Sequence, residues 1–472
     1  MLSTLSAVSR RCGGTRASWS SLPAFVSSNA GQPTPETHPE LLEEKEVQPG
    51  ITREEFRSRR QRFAEQLAPG TLAVLGAGPT QYMAGIIPYP YRPNSCFQYL
   101  TGIIQPDTLA TIDSTGRFVV YTPDESQFRN TWTGALMDTR AAIATFGADA
   151  AYTVSEIRTQ LKASVQRSTG LYLDLNASAS QLVTADHWRL ALNVIQDLKH
   201  EARPIHGLNS IIHRMRWKKS EAEVGLMRRS ARIAAEAMSN CMAATNKPRT
   251  TASEHEISAL FEYQCRTRGA QRMAYPPVVA SGSDATTIHY SRNDKILAPG
   301  DLLLVDAGCE YYGYCSDVTR TWPVNGRFQG ANKDVYQAVC ETHAALLQAC
   351  RPGNTLRQLH QMSVDLLRDA LRSLGIAGDY KAFYPHSVGH WLGLDTHDAA
   401  SVSHDLPLED GVTLTIEPGL YIPDDDRYGH FRGIGVRIED DVLIRDGPVG
   451  CEVLSASVPS AIDDIERLLA SS

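Results

Sequence analysis

The chain changes its periodicity once, near residues 210–220, and that change restricts the possible folds more than any other feature. Before it, short apolar runs of strand length, Thr71–Gly76, Leu109–Ile112, Phe118–Tyr121 and Leu171–Asp174, alternate with stretches over 134–146 and 154–166 that read as helices. An Arg- and Glu-rich surface helix over Thr52–Ala68 precedes them. After it, Ser220 stands three residues before Glu223 as a capping box. Val224, Met227, Ala231, Ala234, Ala235 and Met238 then recur at helical spacing. His255–Arg266 and Lys333–Cys350 give further helices, and the rest of 276–455 reads as strands and loops without a short repeat. With 472 residues the chain is long for a single core. The expectation is an α/β (α+β) protein with a leader over 1–40, an N-terminal α/β domain over 45–210 and a second domain over 215–472.

Composition removes several functional classes. Apolar residues make up 42% and charged residues 21%, as in an ordinary globular protein. A net charge of −7 supplies no basic footprint for nucleic acid and is wrong for an anionic membrane surface. Apolar runs such as Leu302-Leu303-Leu304-Val305 fall far short of the roughly 20 residues of a membrane span. The nine cysteines are odd in number, scattered, and form no CxxC pair, which speaks for a reducing compartment. Asn176-Ala177-Ser178 matches a glycosylation triplet, a pattern frequent by chance. From Met1 to Pro35 there is no acidic residue, while Arg10, Arg11 and Arg16 stand among many Ser and Ala. That is the composition of a mitochondrial transit peptide, and a plain disordered tail is the other reading.

Chemistry concentrates in four places of the second half. Leu302–Asp306 and Ser316–Thr319 read as strands around a tight turn at Tyr311-Tyr312. A turn centred between those tyrosines sets Asp306 opposite Asp317, with Cβ atoms about 5 Å apart. Carboxylates that close repel unless a proton or a cation intervenes. A slipped register would leave both in water. In Val412–Gly419, Val412, Leu414 and Ile416 form an apolar face, Glu417 falls on the other, and Pro418 stops the strand. In Gly435–Asp441, Arg437 and Glu439 share a face while Ile438 points to a core. Taken singly, each of these is equally a solvated strand-end acid or pair. The fourth place, His386–Asp398, holds His386, His390 and His397, although the chain has only 14 histidines. Gly389 and Gly393 argue against a plain helix, and no HExxH zinc motif is present. His289 lies apart, at the end of an expected strand. Asp306, Asp317, His390, Glu417 and Glu439 together make an oxygen-rich set suited to harder ions such as Mn²⁺. Five side chains suit two ions that activate a shared water better than one ion with an open position.

This set resembles the pita-bread metallopeptidases, which include methionine aminopeptidase, prolidase and aminopeptidase P. Gly308–Tyr311, Thr319–Gly326 and His390–Asp398 look like aminopeptidase P, and Asn94–Gly102 is similar to the signature of that family's N-terminal domain. The leader, followed by Gly31-Gln32-Pro33-Thr34-Pro35, points to the mitochondrial type. The resemblance covers about residues 45–470. It implies a creatinase-like N-terminal domain, a pita-bread catalytic domain, two divalent ions, most simply Mn²⁺, and cleavage of peptides with N-terminal Xaa-Pro. It also implies a homodimer, and the mitochondrial matrix as location with the cytosol as a second one. Asp317 and Glu439 would bridge the ions, Asp306 would complete one shell, and His390 with Glu417 the other. Glu417 would also accept a proton. His397 and His289 would steady the developing charge. His386, Thr396, Tyr421 and Arg437 would line the proline pocket. Cys96 stands where relatives usually carry Asp or Asn.

Three alternatives share these motifs. A prolidase acting on Xaa-Pro dipeptides would carry the same ligands. A mitochondrial relative could trim one residue from imported proteins without requiring proline. A binding protein on an inactive fold would have lost ligands, whereas all five are present.

Overall fold

The computed structural model describes residues 30–174, 186–197, 203–245 and 252–471. The Asn176 triplet and the leader up to residue 29 lie outside these. The N-terminal half is built on a six-stranded sheet in the order Ile205–Gly207, Leu171–Leu173, Leu72–Gly76, Leu109–Asp113, Phe118–Thr122, Ala150–Thr153. The first three strands are mutually parallel, as are the last two, and the remaining pairings are antiparallel. Helices Ile157–Arg167 and Asp186–Asp197 pack together over one face through Leu161, Val165, Ala191 and Val194. The continuous apolar runs that mark these strands in the sequence are thus buried on both faces of the sheet.

Three expectations need correction here. The stretch 134–146 is helical only over Thr139–Ala144, because Gly134 adopts φ +84°, and a separate helix covers Gln127–Thr133. Helix Arg53–Ala64 is more than a surface helix. It buries Phe56 and Phe63 together with the guanidinium groups of Arg59 and Arg60. Arg59 donates to Tyr99 O and Glu55 and lies 3.4 Å from Glu223, across the domain boundary. Finally, residues 30–40 of the expected leader pack on this domain. Ala30 is buried, Gln105 Nε2 donates to Ala30 O, and Ile104 N donates to Gln32 Oε1.

The second half opens with helix Glu221–Thr245, started by the capping box: Ser220 N donates to Glu223 at 3.0 Å and Glu223 N donates to Ser220 Oγ at 3.3 Å. It packs on helix Glu254–Thr267. Helix Leu356–Ser373, expected as loop, pairs with Gly330–Ala349. Thr355 and Gln358 form its capping box, and Leu359, Val364, Leu367 and Leu371 form its buried stripe. Two antiparallel three-stranded sheets lie between these helix pairs. One runs Val278–Ser281, Leu302–Ala307, Val318–Pro323, and the other Thr413–Ile416, Asp440–Ile444, Cys451–Val453. They meet where Glu439 N donates to Thr319 O and Arg320 Nη1 donates to Glu439 O. Among the described residues all eight cysteines are free, and no helix is long and apolar enough to cross a membrane.

Candidate metal centre

The seam between the two sheets carries the acids. Asp306 lies in strand Leu302–Ala307 and Asp317 immediately precedes Val318–Pro323. Their register differs from the expectation. The turn is Tyr312-Gly313, with φ of 52° and 87°, the left-handed pair that a two-residue hairpin requires. The centre therefore moves by one residue, and Asp306 faces Thr319. Asp317 sits two positions along and stays on the same face, so the two carboxylates are diagonal neighbours. Tyr275 Oη donates to both Asp306 Oδ1 and Asp317 Oδ1. The Asp317 backbone N–H is held by the buried carboxylate of Asp441.

The other sheet brings Glu417 and Glu439. Glu417 N donates to Val388 O at 2.8 Å and Thr415 N to His390 O at 2.9 Å, so the histidine segment runs beside strand Thr413–Ile416. A Cβ on Gly389 would come within 1.9 Å of Thr415 O, so only glycine permits this approach. Glu439 accepts from Thr319 Oγ1 at 2.6 Å. The result is one buried cluster. His390 Nε2 lies 3.4 Å from Asp317 and 3.7 Å from Glu417. Donor atoms of Asp317, His390 and Glu439 all fall within 4.8 Å of one another.

Burial and mutual repulsion set the protonation of the cluster. Burial pushes the Glu417 carboxyl up to about 7, with Asp317 and Asp306 adding to the effect against His390 and Arg437. Burial and the neighbouring Asp317, Glu417 and Asp306 push Glu439 well above the carboxylate range. Asp306 is raised by burial too, against the pull of Arg437. Burial opposes charge on His390 as well, yet its contacts with Asp317 and Glu417 raise it to about 9, so an imidazolium stands among the acids. Four carboxylates in this space cannot all ionise without added positive charge. The donor set therefore fits divalent cations, with oxygen predominating.

The cluster forms the floor of a cavity of about 650 Å³. Of the eleven residues singled out in the sequence, ten line it: Asp306, Asp317, His289, His386, His390, Thr396, His397, Glu417, Arg437 and Glu439. Tyr421 lies just behind and joins two of them. Arg437 Nη1 donates to Tyr421 Oη at 2.8 Å, and His386 Nε2 is 2.8 Å from the same oxygen. Arg437 is 1% exposed and also donates to Thr319 Oγ1 and to Asp306 at 2.5 Å. The rings of His390 and His397 are 4.3 Å apart, and burial, with the charge of His390, lowers the His397 imidazole below its ordinary value. His289 lies in a turn after the short helix Gly282–Thr286 rather than at a strand end, and is exposed at the cavity wall. Cys96 lines the neighbouring cavity between the domains rather than this one. It is buried, receives a hydrogen bond from Arg216 Nη1, and its thiol is pushed up to about 12 by burial. Tyr275, Tyr290, His404 and Asp441 belong to the site or its support without any mark in the sequence.

Comparison with known proteins gives the same outline. Residues 225–446 match the model of metallopeptidase family M24, and residues 56–172 that of the aminopeptidase P N-terminal domain. The chain is 39% identical over 443 residues to the mitochondrial intermediate cleaving peptidase 55 of Arabidopsis thaliana, covering 93% of this chain and 87% of that one. It is 35% identical over 465 residues to human Xaa-Pro aminopeptidase 3, covering 93% and 90%. Escherichia coli aminopeptidase P, solved with the inhibitor Pro-Leu, superposes with a TM-score of 0.81 at 32% identity, over 89% of this chain and 99% of that one.

Proposed function

The chain belongs to metallopeptidase family M24, in its aminopeptidase P branch, and from that membership we propose that it removes the first residue from peptides with proline in second place. It is a metallo-aminopeptidase. The observation that carries the substrate reading is the convergence of the five ligand candidates on the floor of one cavity whose walls bear His386, Thr396 and Arg437.

Asp306, Asp317, His390, Glu417 and Glu439 would hold two divalent cations, and the oxygen-rich set favours Mn²⁺. Such ions supply Lewis acidity and a lowered pKa for water. Glu417, beside His390, is placed to take the proton of the attacking water. His397 would offer its imidazole to the oxyanion, and His289, on the lining of the same cavity, would act with it. Tyr275 and Arg437 hold Asp306 in place. His386, Thr396 and Tyr421 would receive the proline ring. The N-terminal domain would span 45–210 and the catalytic domain 215–472. We further place the protein in the mitochondrial matrix as a homodimer.

Arg437 argues against the dipeptidase alternative. Its guanidinium is occupied by Asp306, Thr319 and Tyr421, and so has little left to capture the free carboxylate of an Xaa-Pro dipeptide. A second reading, trimming of one residue from imported proteins, is supported by the plant relative and its name. The test is kcat/KM for Xaa-Pro-Yaa, Xaa-Ala-Yaa and Xaa-Pro on one Mn²⁺-loaded preparation. The first is expected to exceed both others by at least about tenfold, since a missing ring contact costs roughly 1–3 kcal/mol. A dipeptide that is cut best overturns the aminopeptidase reading, and equal cutting of alanine favours the trimming of imported proteins.

A further inference from the structure

The segment that delivers Thr396 and His397 to the cavity is gripped from the other domain. Asp395 Oδ1 accepts from Ser95 Oγ at 2.6 Å and from Arg92 Nη2 at 3.0 Å. Arg92 Nη2 also donates to Leu394 O at 2.5 Å. The same guanidinium reaches the metal-bearing hairpin, where its Nε donates to Glu310 Oε1 at 2.5 Å. Glu310 is 1% exposed and pairs with Cys315 across the strands that separate Asp306 from Asp317. Ser95 opens the helix Ser95–Thr101, which Asn94 caps through its contact with Phe97 N. On the catalytic side, Arg216 Nη2 donates to Asp395 Oδ2 at 2.7 Å and to Asp398, and Lys219 Nζ to Asp398 at 3.2 Å. The acids at 395 and 398 are thus fixed on both sides of Thr396-His397.

We infer that the N-terminal domain sets the reach of His397 into the catalytic cavity, with Ser95 and Arg92 as positioning residues acting through Asp395. The inference rests on the role proposed above for His397. A side chain that must meet a developing oxyanion loses effect when displaced by a fraction of an ångström, because hydrogen-bond strength falls steeply with distance and angle. Leu394 and Asp395 are held by three hydrogen bonds from Ser95 and Arg92, one from Arg92 to the Leu394 carbonyl and one from each residue to the Asp395 carboxylate. Arg92 is about one-third exposed toward an inter-domain cavity of about 820 Å³, so its replacement leaves no closed void.

The experiment is a double-mutant cycle on the full-length, Mn²⁺-loaded enzyme with an Xaa-Pro-Yaa peptide. Ser95→Ala and Arg92→Gln are made alone and together with His397→Ala, and metal content and thermal midpoint are measured for each. Each single change is expected to lower kcat about tenfold, with KM within about twofold and metal content unchanged. Neither should lower kcat further once His397 is alanine. Losses that add fully to that of His397→Ala, unchanged kcat in both single variants, or loss of metal in either, would each overturn the inference. If His397→Ala itself leaves kcat intact, the role assigned to His397 falls first and the positioning with it.

Discussion

At the scale of single residues the proposed site would separate into groups that hold metal and groups that act on substrate. Asp317→Asn or Glu439→Gln replaces a buried carboxylate by an amide that carries no charge. Loss of even an outer partner commonly costs 10–100-fold, so removal of a ligand is expected to cost more than about 100-fold in activity, together with most of the bound metal. Elemental analysis and initial rates check this, and a fully loaded, fully active variant would remove the residue from the ligand set. The histidines should divide differently. His390, in contact with Asp317 and Glu417, should lose metal when changed to alanine. His397→Ala should keep its metal while kcat drops on the order of 100-fold, the usual scale for one oxyanion donor. Equal metal loss in both would assign His397 to the ions instead. That these acids and histidines gather on one cavity was legible in the sequence because each stands in or beside a strand or a glycine-bearing turn. Tyr275 was not, since its two hydrogen bonds exist only after residues far apart in sequence meet.

At the scale of elements, the errors have physical sources. The turn expected at Tyr311-Tyr312 falls one residue later because the left-handed pair is Tyr312-Gly313, where glycine supplies the second positive φ. Shifting a turn centre by one residue moves the partner by two, so the faces were right although the pairing was not. Helix Leu356–Ser373 carried its capping box and apolar stripe in the sequence and was lost only in a stretch read as strands and loops. On the neighbouring helix Gly330–Ala349, His343 gives a pH-dependent prediction. It is 2% exposed, and burial lowers it to about 4 although Asp440 stands 3.3 Å away. Its folded pKa thus lies below the unfolded value, so the unfolded chain binds the extra proton. This part of the stability is complete above pH ~6.5 and drains as pH falls toward 4, by up to about 1.4 kcal/mol per pH unit. Denaturant midpoints at pH 7 and 5 should therefore move apart in the native protein and less in His343→Phe. An equal shift in both would mean that other groups carry the acid sensitivity.

At the scale of the whole molecule, the two-domain division was readable because the change of periodicity coincides with a capping box. The packing across it was not, because it depends on buried arginines such as Arg59 and Arg216, which look like solvent residues in a linear pattern. The anchoring of Ala30 and Gln32 also bears on maturation. Processing of the leader is expected to leave the mature N-terminus upstream of Ala30. N-terminal sequencing of the protein from mitochondria checks it, and a mature chain that starts beyond Gln32 would contradict it. The seam between the two sheets has a temporal meaning as well. Its candidate ligands are Asp306, Asp317, His390, Glu417 and Glu439, and the strand Val318–Pro323 is tied down by Arg320 to the carbonyls of Val458 and Pro459. No nascent or partly threaded polypeptide that stops before Glu439 owns the complete set. Activity would thereby wait until the segment carrying Glu439 has been delivered and the seam has closed, and a copy that stops short of it would be inert toward the peptides around it.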